Sequence, residues 1–342
     1  MRTPATPPGA SSPRRWLIAG LKLAVVAAVV WFVSQTVREA WRELARRELA
    51  LSLAPALGAG AMIVLAQAPM AWFWRRTLVA LGEPAPLGGA IKAFYLSQIG
   101  KYVPGKASVV LIRTERLLDA VRRDDHDAFE AACGRTVAAA VFYETLTHIA
   151  VGSLIAAALT VATVEGDPNT RLGLMALSLA LAVACLTPTL PPVFSRLLKK
   201  VAKAPSSEVA RERRRLTYGL SALGAVCAAV SWGLIGVVVW LSAVSVGAAG
   251  WGDFSRWPLW VLAAALPTVA GFVSLLPAGL VVREALSLVI LAPALGEADA
   301  LAVTIAVRLV WVVTELCVCG SLLASGAIGA ARRVRSPSRK WP

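Results

Sequence analysis

The chain has only two histidines, His126 and His148. That is too few to assemble a zinc centre from the usual ligand sets. Its five cysteines, Cys133, Cys185, Cys227, Cys317 and Cys319, form no CxxC pair. They sit in or at the ends of apolar runs, which predicts packing residues rather than disulfides or metal ligands. No nucleotide-binding loop is present, so direct use of ATP is not expected. There is no Asp-rich metal motif and no nucleophile–base pair. Only Glu144 and His148, four residues apart on one helical face, approach one, so no catalytic residue, metal or cofactor is expected. Charge itself is scarce, at 16% of 342 residues, against about 25% in soluble domains.

Apolar residues are abundant instead, at 57%. They lie in long runs broken by short charged stretches, the pattern of a multi-span bundle. The runs lack period-2 alternation, which excludes a membrane barrel and leaves helices to satisfy the backbone internally. The net charge of +15 would suggest nucleic acid in a soluble protein. Here the basic residues flank apolar runs, so anionic headgroups and the positive-inside rule account for them, and no nucleic-acid partner is expected.

Six segments are long enough to cross: residues 16–37, 50–74, 136–164, 172–190, 216–246 and 300–328. The first covers about 33 Å at ~1.5 Å per residue, too long for a signal-peptide core, and reads as an uncleaved anchor. Residues 1–15 form a Pro/Ser/Ala-rich tail expected to be disordered and cytoplasmic. Residues 329–342 form a basic cytoplasmic tail.

Two more stretches are apolar but interrupted. Residues 87–112 contain Gly100-Lys101-Tyr102-Val103-Pro104-Gly105-Lys106, and residues 258–293 contain Leu276-Pro277-Ala278-Gly279. Pro and Gly should break each helix there. Basic residues concentrate in the loop 196–215, in the C-terminal tail and at Arg113, Arg116, Arg122 and Arg123, which predicts a cell-membrane protein with cytoplasmic N- and C-termini. The loop 38–49, with Arg38, Arg42, Arg46 and Arg47 beside three glutamates, dissents. This topology holds only if each interrupted stretch enters and leaves on one side. Each half then reads as two spans, a re-entrant hairpin and a third span. Three crossings per half make the repeat inverted, as in many secondary transporters. The alternative, two full crossings within 258–293, leaves a short second piece carrying Arg283 and Glu284. The spans after the hairpins echo each other, with Arg135 and Glu144 in one and Arg308 and Glu315 in the other.

Ionisable residues at bilayer depth cost roughly 2.5–3.5 kcal/mol each on insertion scales. Arg283, Glu284, Arg308 and Glu315 must therefore pair, face a cavity or lie near an interface. Arg308 and Glu315, seven apart, share a helical face. The first break offers Lys101 and Lys106 around a Pro-Gly turn, fitted either to an anionic headgroup or to an ordinary cytoplasmic turn, with Tyr102 a possible interface anchor. Lys101, Tyr102, Lys106, Arg113, Glu144, Arg283, Glu284, Arg308 and Glu315 are the candidate substrate-binding residues. Pro104, Gly105, Pro277 and Gly279 are the candidate hairpin tips. Val193, Phe194, Leu197, Leu198 and Val201 alternate with basic residues at helical spacing and predict an amphipathic surface helix. Trp72, Trp74, Trp257 and Trp260 read as interface-belt residues.

The stretch Tyr95-Leu96-Ser97-Gln98-Ile99-Gly100-Lys101-Tyr102-Val103-Pro104-Gly105-Lys106 resembles a motif of the lysylphosphatidylglycerol synthase transmembrane, or flippase-like domain, family. Leu276-Pro277-Ala278-Gly279-Leu280-Val281-Val282-Arg283-Glu284-Ala285 is similar to that family's second motif, departing from its usual glycines at Ala278 and Val281. The resemblance covers about residues 16–328. It implies a domain that binds or moves lipid between leaflets. After residue 328 only a short tail remains, so a soluble aminoacyltransferase is not expected and neither is enzymatic activity. The substrate expected is an anionic phospholipid or lipid-linked intermediate. The competing readings are a non-catalytic partner of a glycosyltransferase or envelope lipid pathway, and a membrane-embedded lipid-modifying enzyme.

Overall fold

The computed structural model describes residue 38 and residues 52–102, 107–124, 129, 133–163, 168–201, 216–273 and 282–335. The span expected at 16–37 lies outside these, as do nearly all of the dissenting loop and most of the basic loop after residue 201. Lys106 and both hairpin tips, with Pro104, Gly105, Pro277 and Gly279, also lie outside them.

The described residues form an all-α polytopic bundle, with no strand among them. Among the described residues, five helices are long and apolar enough to cross a membrane. They are α1 (Leu53–Ala80), α4 (Gly134–Thr163), α5 (Pro168–Leu186), α7 (Tyr218–Ser245) and α10 (Glu297–Arg335). All five coincide with sequence-predicted spans. The last differs at its end: helix α10 runs on through Arg335, into the segment read as the basic tail. No Pro or Gly stands between Ala330 and Arg335 to stop it.

These helices have apolar residues on every face, because lipid replaces water outside the bundle. Leu65, Phe142, Leu154, Val183, Val226 and Leu316 project outward, while Ile63, Phe73, Tyr143, Trp232 and Val303 are buried. Trp72 and Trp257 are exposed, as belt residues should be, but Trp74 and Trp260 are fully buried in the core. Hydropathy alone does not separate these two positions for an indole. Small residues allow the close helix approaches. A Cβ on Gly224 of α7 would lie 2.3 Å from the Phe73 ring of α1.

Each interrupted stretch has described helical limbs on both sides of its interruption. The first is α2 (Leu87–Ser97), a 3-10 turn (Gln98–Tyr102) and α3 (Ala107–Asp124). Its 3-10 turn packs so tightly on α3 that a Cβ on Gly100 would sit 2.7 Å from the Val109 amide nitrogen. The second is α8 (Trp257–Val273) and α9 (Val282–Leu295), also packed on each other. Helix α9 has 14 residues, about 21 Å of rise, too short for a hydrocarbon core of about 30 Å.

The packing recurs between halves. Helix α1 packs on its hairpin limb α2 as α7 packs on α8, and α3 meets α4 as α9 meets α10. The equivalent helices α1 and α7 run antiparallel. Their contacts pair Gly58 with Leu241 and Phe73 with Gly224, and the Ser52 amide donates to the Ser245 carbonyl at 2.7 Å. Equivalent elements pointing in opposite directions are the signature of an inverted repeat.

A basic amphipathic helix, α6 (Pro191–Val201), lies beside this bundle. Phe194 and Leu198 enter the core while Arg196, Lys199 and Lys200 face outward. The five cysteines are all free.

Candidate functional site

The centre of the site is Glu315, on the inner face of α10 and almost wholly buried. A carboxylate here needs donors and a countercharge. It has both. Trp311 Nε1, one turn earlier on α10, donates to Oε1 at 2.8 Å. The Tyr102 hydroxyl donates to Oε2 at 2.8 Å, and Gln67 Nε2 from α1 donates to Oε1 at 3.2 Å. Lys101 forms an ion pair with the same oxygen. Its ammonium lies 5.4 Å from the Tyr102 ring centroid and 5.1 Å from that of Trp311, within cation–π range. The 3-10 turn before the first tip places Lys101 and Tyr102 side by side against α10. Tyr102 is therefore a buried hydrogen-bond donor, neither an interface anchor nor part of an exposed turn.

The second hairpin brings its own charges to this junction. Arg283 and Glu284 open α9. Glu284 forms an ion pair with Arg308 of α10 through Oε1, and Oε2 is buried with no partner among the described residues. Arg308 shares a face with Glu315 but turns to Glu284. The guanidinium of Arg283 donates to Thr268 Oγ1 of α8 at 3.1 Å. No carboxylate lies within ion-pair distance of it among the described residues. It is within electrostatic range of Arg308, Glu284, Tyr102 and Glu315. Among the described residues, the junction holds three cations (Lys101, Arg283 and Arg308) against two carboxylates (Glu284 and Glu315), a surplus of one positive charge.

Arg113 and Glu144 stand apart. Arg113, on α3, meets Glu144 of α4 at 2.7 Å, with only 3% and 6% of their side chains exposed. Arg113 Nε donates to Ser97 Oγ at 2.9 Å, and the guanidinium stacks 4.2 Å from the Phe94 centroid and 5.1 Å from that of Trp74. Arg135, read in the sequence beside Glu144, is exposed. Glu144 and His148 share a helix but serve different neighbours. His148 stacks on Trp232, centroids 4.5 Å apart, and its Nε2 lies 3.3 Å from Ser231 Oγ. They make no acid–base pair.

Of the sequence candidates, Lys101, Tyr102, Arg283, Glu284, Arg308 and Glu315 converge where the two hairpins meet α10. Arg113 and Glu144 form a separate sealed pair, and Lys106 lies outside the described residues. Gln67, Thr268, Trp311 and Ser97 take part but escape a search for charge. An uncharged polar residue inside a crossing run, as Gln67 is, was the available signal. Trp311, one turn before Glu315, was another.

The family model described as the lysylphosphatidylglycerol synthase TM region matches residues 20–319. No curated protein matches the chain. The match spans most of the chain and includes every element of the junction, so the chain belongs to that family.

Proposed function

We propose that this member of the lysylphosphatidylglycerol synthase transmembrane family binds an anionic phospholipid or lipid-linked intermediate at the hairpin junction and translocates it between leaflets. The observation that carries the reading is Arg283. It is a partly buried guanidinium with a hydroxyl partner but no counterion among the described residues. A lipid phosphate supplies that counterion, and a guanidinium can grip two phosphate oxygens at once. Glu284 and Arg308, each about a quarter or more exposed, make the surroundings polar enough for a headgroup to pass. On the topology that the loop charges favour, the two hairpins enter from opposite leaflets, which suits a site reached from either side. The role is one of binding and passage rather than bond-making. In support of it, Glu315 and Glu144 are engaged by donors and Glu284 by Arg308. The loop charges favour a cell-membrane protein with both termini in the cytoplasm.

The test is leaflet exchange in reconstituted liposomes carrying labelled anionic lipids. Accelerated exchange that falls at least tenfold in Arg283→Ala, with the variant still folded, is the expected result. No acceleration across several anionic headgroups, with one stable glycosyltransferase-type partner co-purifying, would overturn it in favour of a partner role.

A further inference from the structure

Helix α6 has three faces, and the bundle uses only one of them. Phe194 and Leu198, one turn apart, are buried. Phe194 meets the Tyr143 ring of α4 edge-on, centroids 4.7 Å apart, and the Tyr143 hydroxyl lies 2.9 Å from Ser221 Oγ of α7. These contacts fix the helix at the end of the bundle where α1 stops and α7 begins. The second face is cationic. Arg196, Lys199 and Lys200 stand at i, i+3 and i+4 and are exposed. No acidic residue lies between Pro191 and Val201. None of the three cations has a carboxylate within ion-pair distance among the described residues. The third face is apolar and bare. Leu197, on the flank between the cations and the core, is 45% exposed, and Leu190, just before the helix, is 39% exposed.

On the other flank lies a cavity of about 90 Å³ between α6, the end of α1 and the approach to α7. Leu81, Leu198 and Leu216 line it, together with Ser195 and Lys199. It has room for several waters, or for a group of phosphate size in their place. One ammonium and one hydroxyl at an apolar cavity suit an anion that is itself part of a larger apolar molecule. A free anion would answer Lys199 but leave Leu190 and Leu197 in water. A phospholipid answers the charge and covers the leucines, as at other basic helices that lie in a membrane interface.

We propose that α6 builds a second lipid site, apart from the hairpin junction, for an anionic phospholipid of the adjoining leaflet. The phosphate sits at the cavity mouth against Lys199 and Ser195, within the positive field of Arg196 and Lys200, and the acyl chains cover Leu190 and Leu197. The bound lipid clamps α6 onto the ends of α1 and α7, the antiparallel pair that joins the two halves. It stabilises the fold whether or not Arg283 holds a substrate. On the topology that the loop charges favour, the leaflet concerned is the cytoplasmic one.

The experiment is thermal denaturation of the full-length protein in phosphatidylcholine nanodiscs with increasing phosphatidylglycerol. The wild-type melting temperature should rise by about 3–5 °C. Arg196→Gln/Lys199→Gln/Lys200→Gln should lose most of that rise. Arg116→Gln/Arg122→Gln/Arg123→Gln removes the same charge from exposed positions on α3 and should keep it, as should Arg283→Ala. Equal loss in the α3 and α6 variants means a diffuse surface field and overturns the site. Loss in Arg283→Ala with retention in the α6 variant places the effect at the hairpin junction, overturning this proposal while the functional reading stands. The same rise from soluble glycerol 3-phosphate in pure phosphatidylcholine nanodiscs overturns the assignment to a lipid. No rise in wild type overturns the proposal outright, and that measurement needs no variant to fold.

Discussion

Two ion pairs occupy equivalent places in the two halves with their charges exchanged. In the first half the limb leaving the hairpin tip carries the cation, Arg113, and the following span carries the anion, Glu144. In the second half the limb carries Glu284 and the span carries Arg308. The first pair is sealed at 3% and 6% exposure, and the second stands open at 25% and 30%. The sealed pair is also locked by Ser97 and two aromatic faces, whereas the open pair leaves Glu284 Oε2 unpartnered among the described residues. The same repeated unit thus serves as a rivet on one side and as the wall of a polar site on the other. Packing around the pair, rather than the pair itself, sets the role.

The comparison can be broken most forcefully at the rivet. Arg113→Met alone strands Glu144 in the core and should cost about 3–5 kcal/mol of stability. The double variant Arg113→Met/Glu144→Leu should regain most of that, as read by thermal denaturation in detergent. Glu315→Gln comes next. It removes the counterion of Lys101 and leaves an amide nitrogen that cannot accept from Tyr102 or Trp311. A loss of about 2–3 kcal/mol in stability, with slower lipid exchange, is expected. Arg283→Ala sharpens the contrast from the other side: lipid binding should weaken about 10- to 100-fold while the melting temperature barely moves. Smallest is Glu284→Gln. With both partners a quarter or more exposed, the stability change should stay below about 1 kcal/mol, and the effect should show in exchange rate instead. If Glu284→Gln destabilises the protein as much as Arg113→Met does, the distinction between rivet and site wall fails.

Much of the architecture was legible because lipid imposes a length and a composition on every crossing element. Helices α1, α4, α5, α7 and α10 each fall on an apolar run, and Pro104 and Pro277 mark the two interruptions between the described limbs. The site was legible only as a set of charges. That Arg308 turns to Glu284 rather than to Glu315, and that Glu144 meets Arg113 rather than Arg135, depends on how α3 and α9 return against the spans. Spacing along one helix shows which residues share a face but not what that face meets. The tryptophans show the same limit: Trp72 and Trp74 are two residues apart, yet one faces outward and the other lies in the core.

The sequence by itself determined a helical membrane bundle, since no other backbone arrangement keeps such long apolar runs satisfied in lipid. It also determined that a handful of charges had to be sheltered. Tertiary structure decided which charge answers which, and why Arg283 has no carboxylate partner and Gln67 Oε1 no donor among the described residues. Those outcomes are set by contacts between helices up to about 250 residues apart, and Coulomb and hydrogen-bond energies act only over the few ångströms that folding creates.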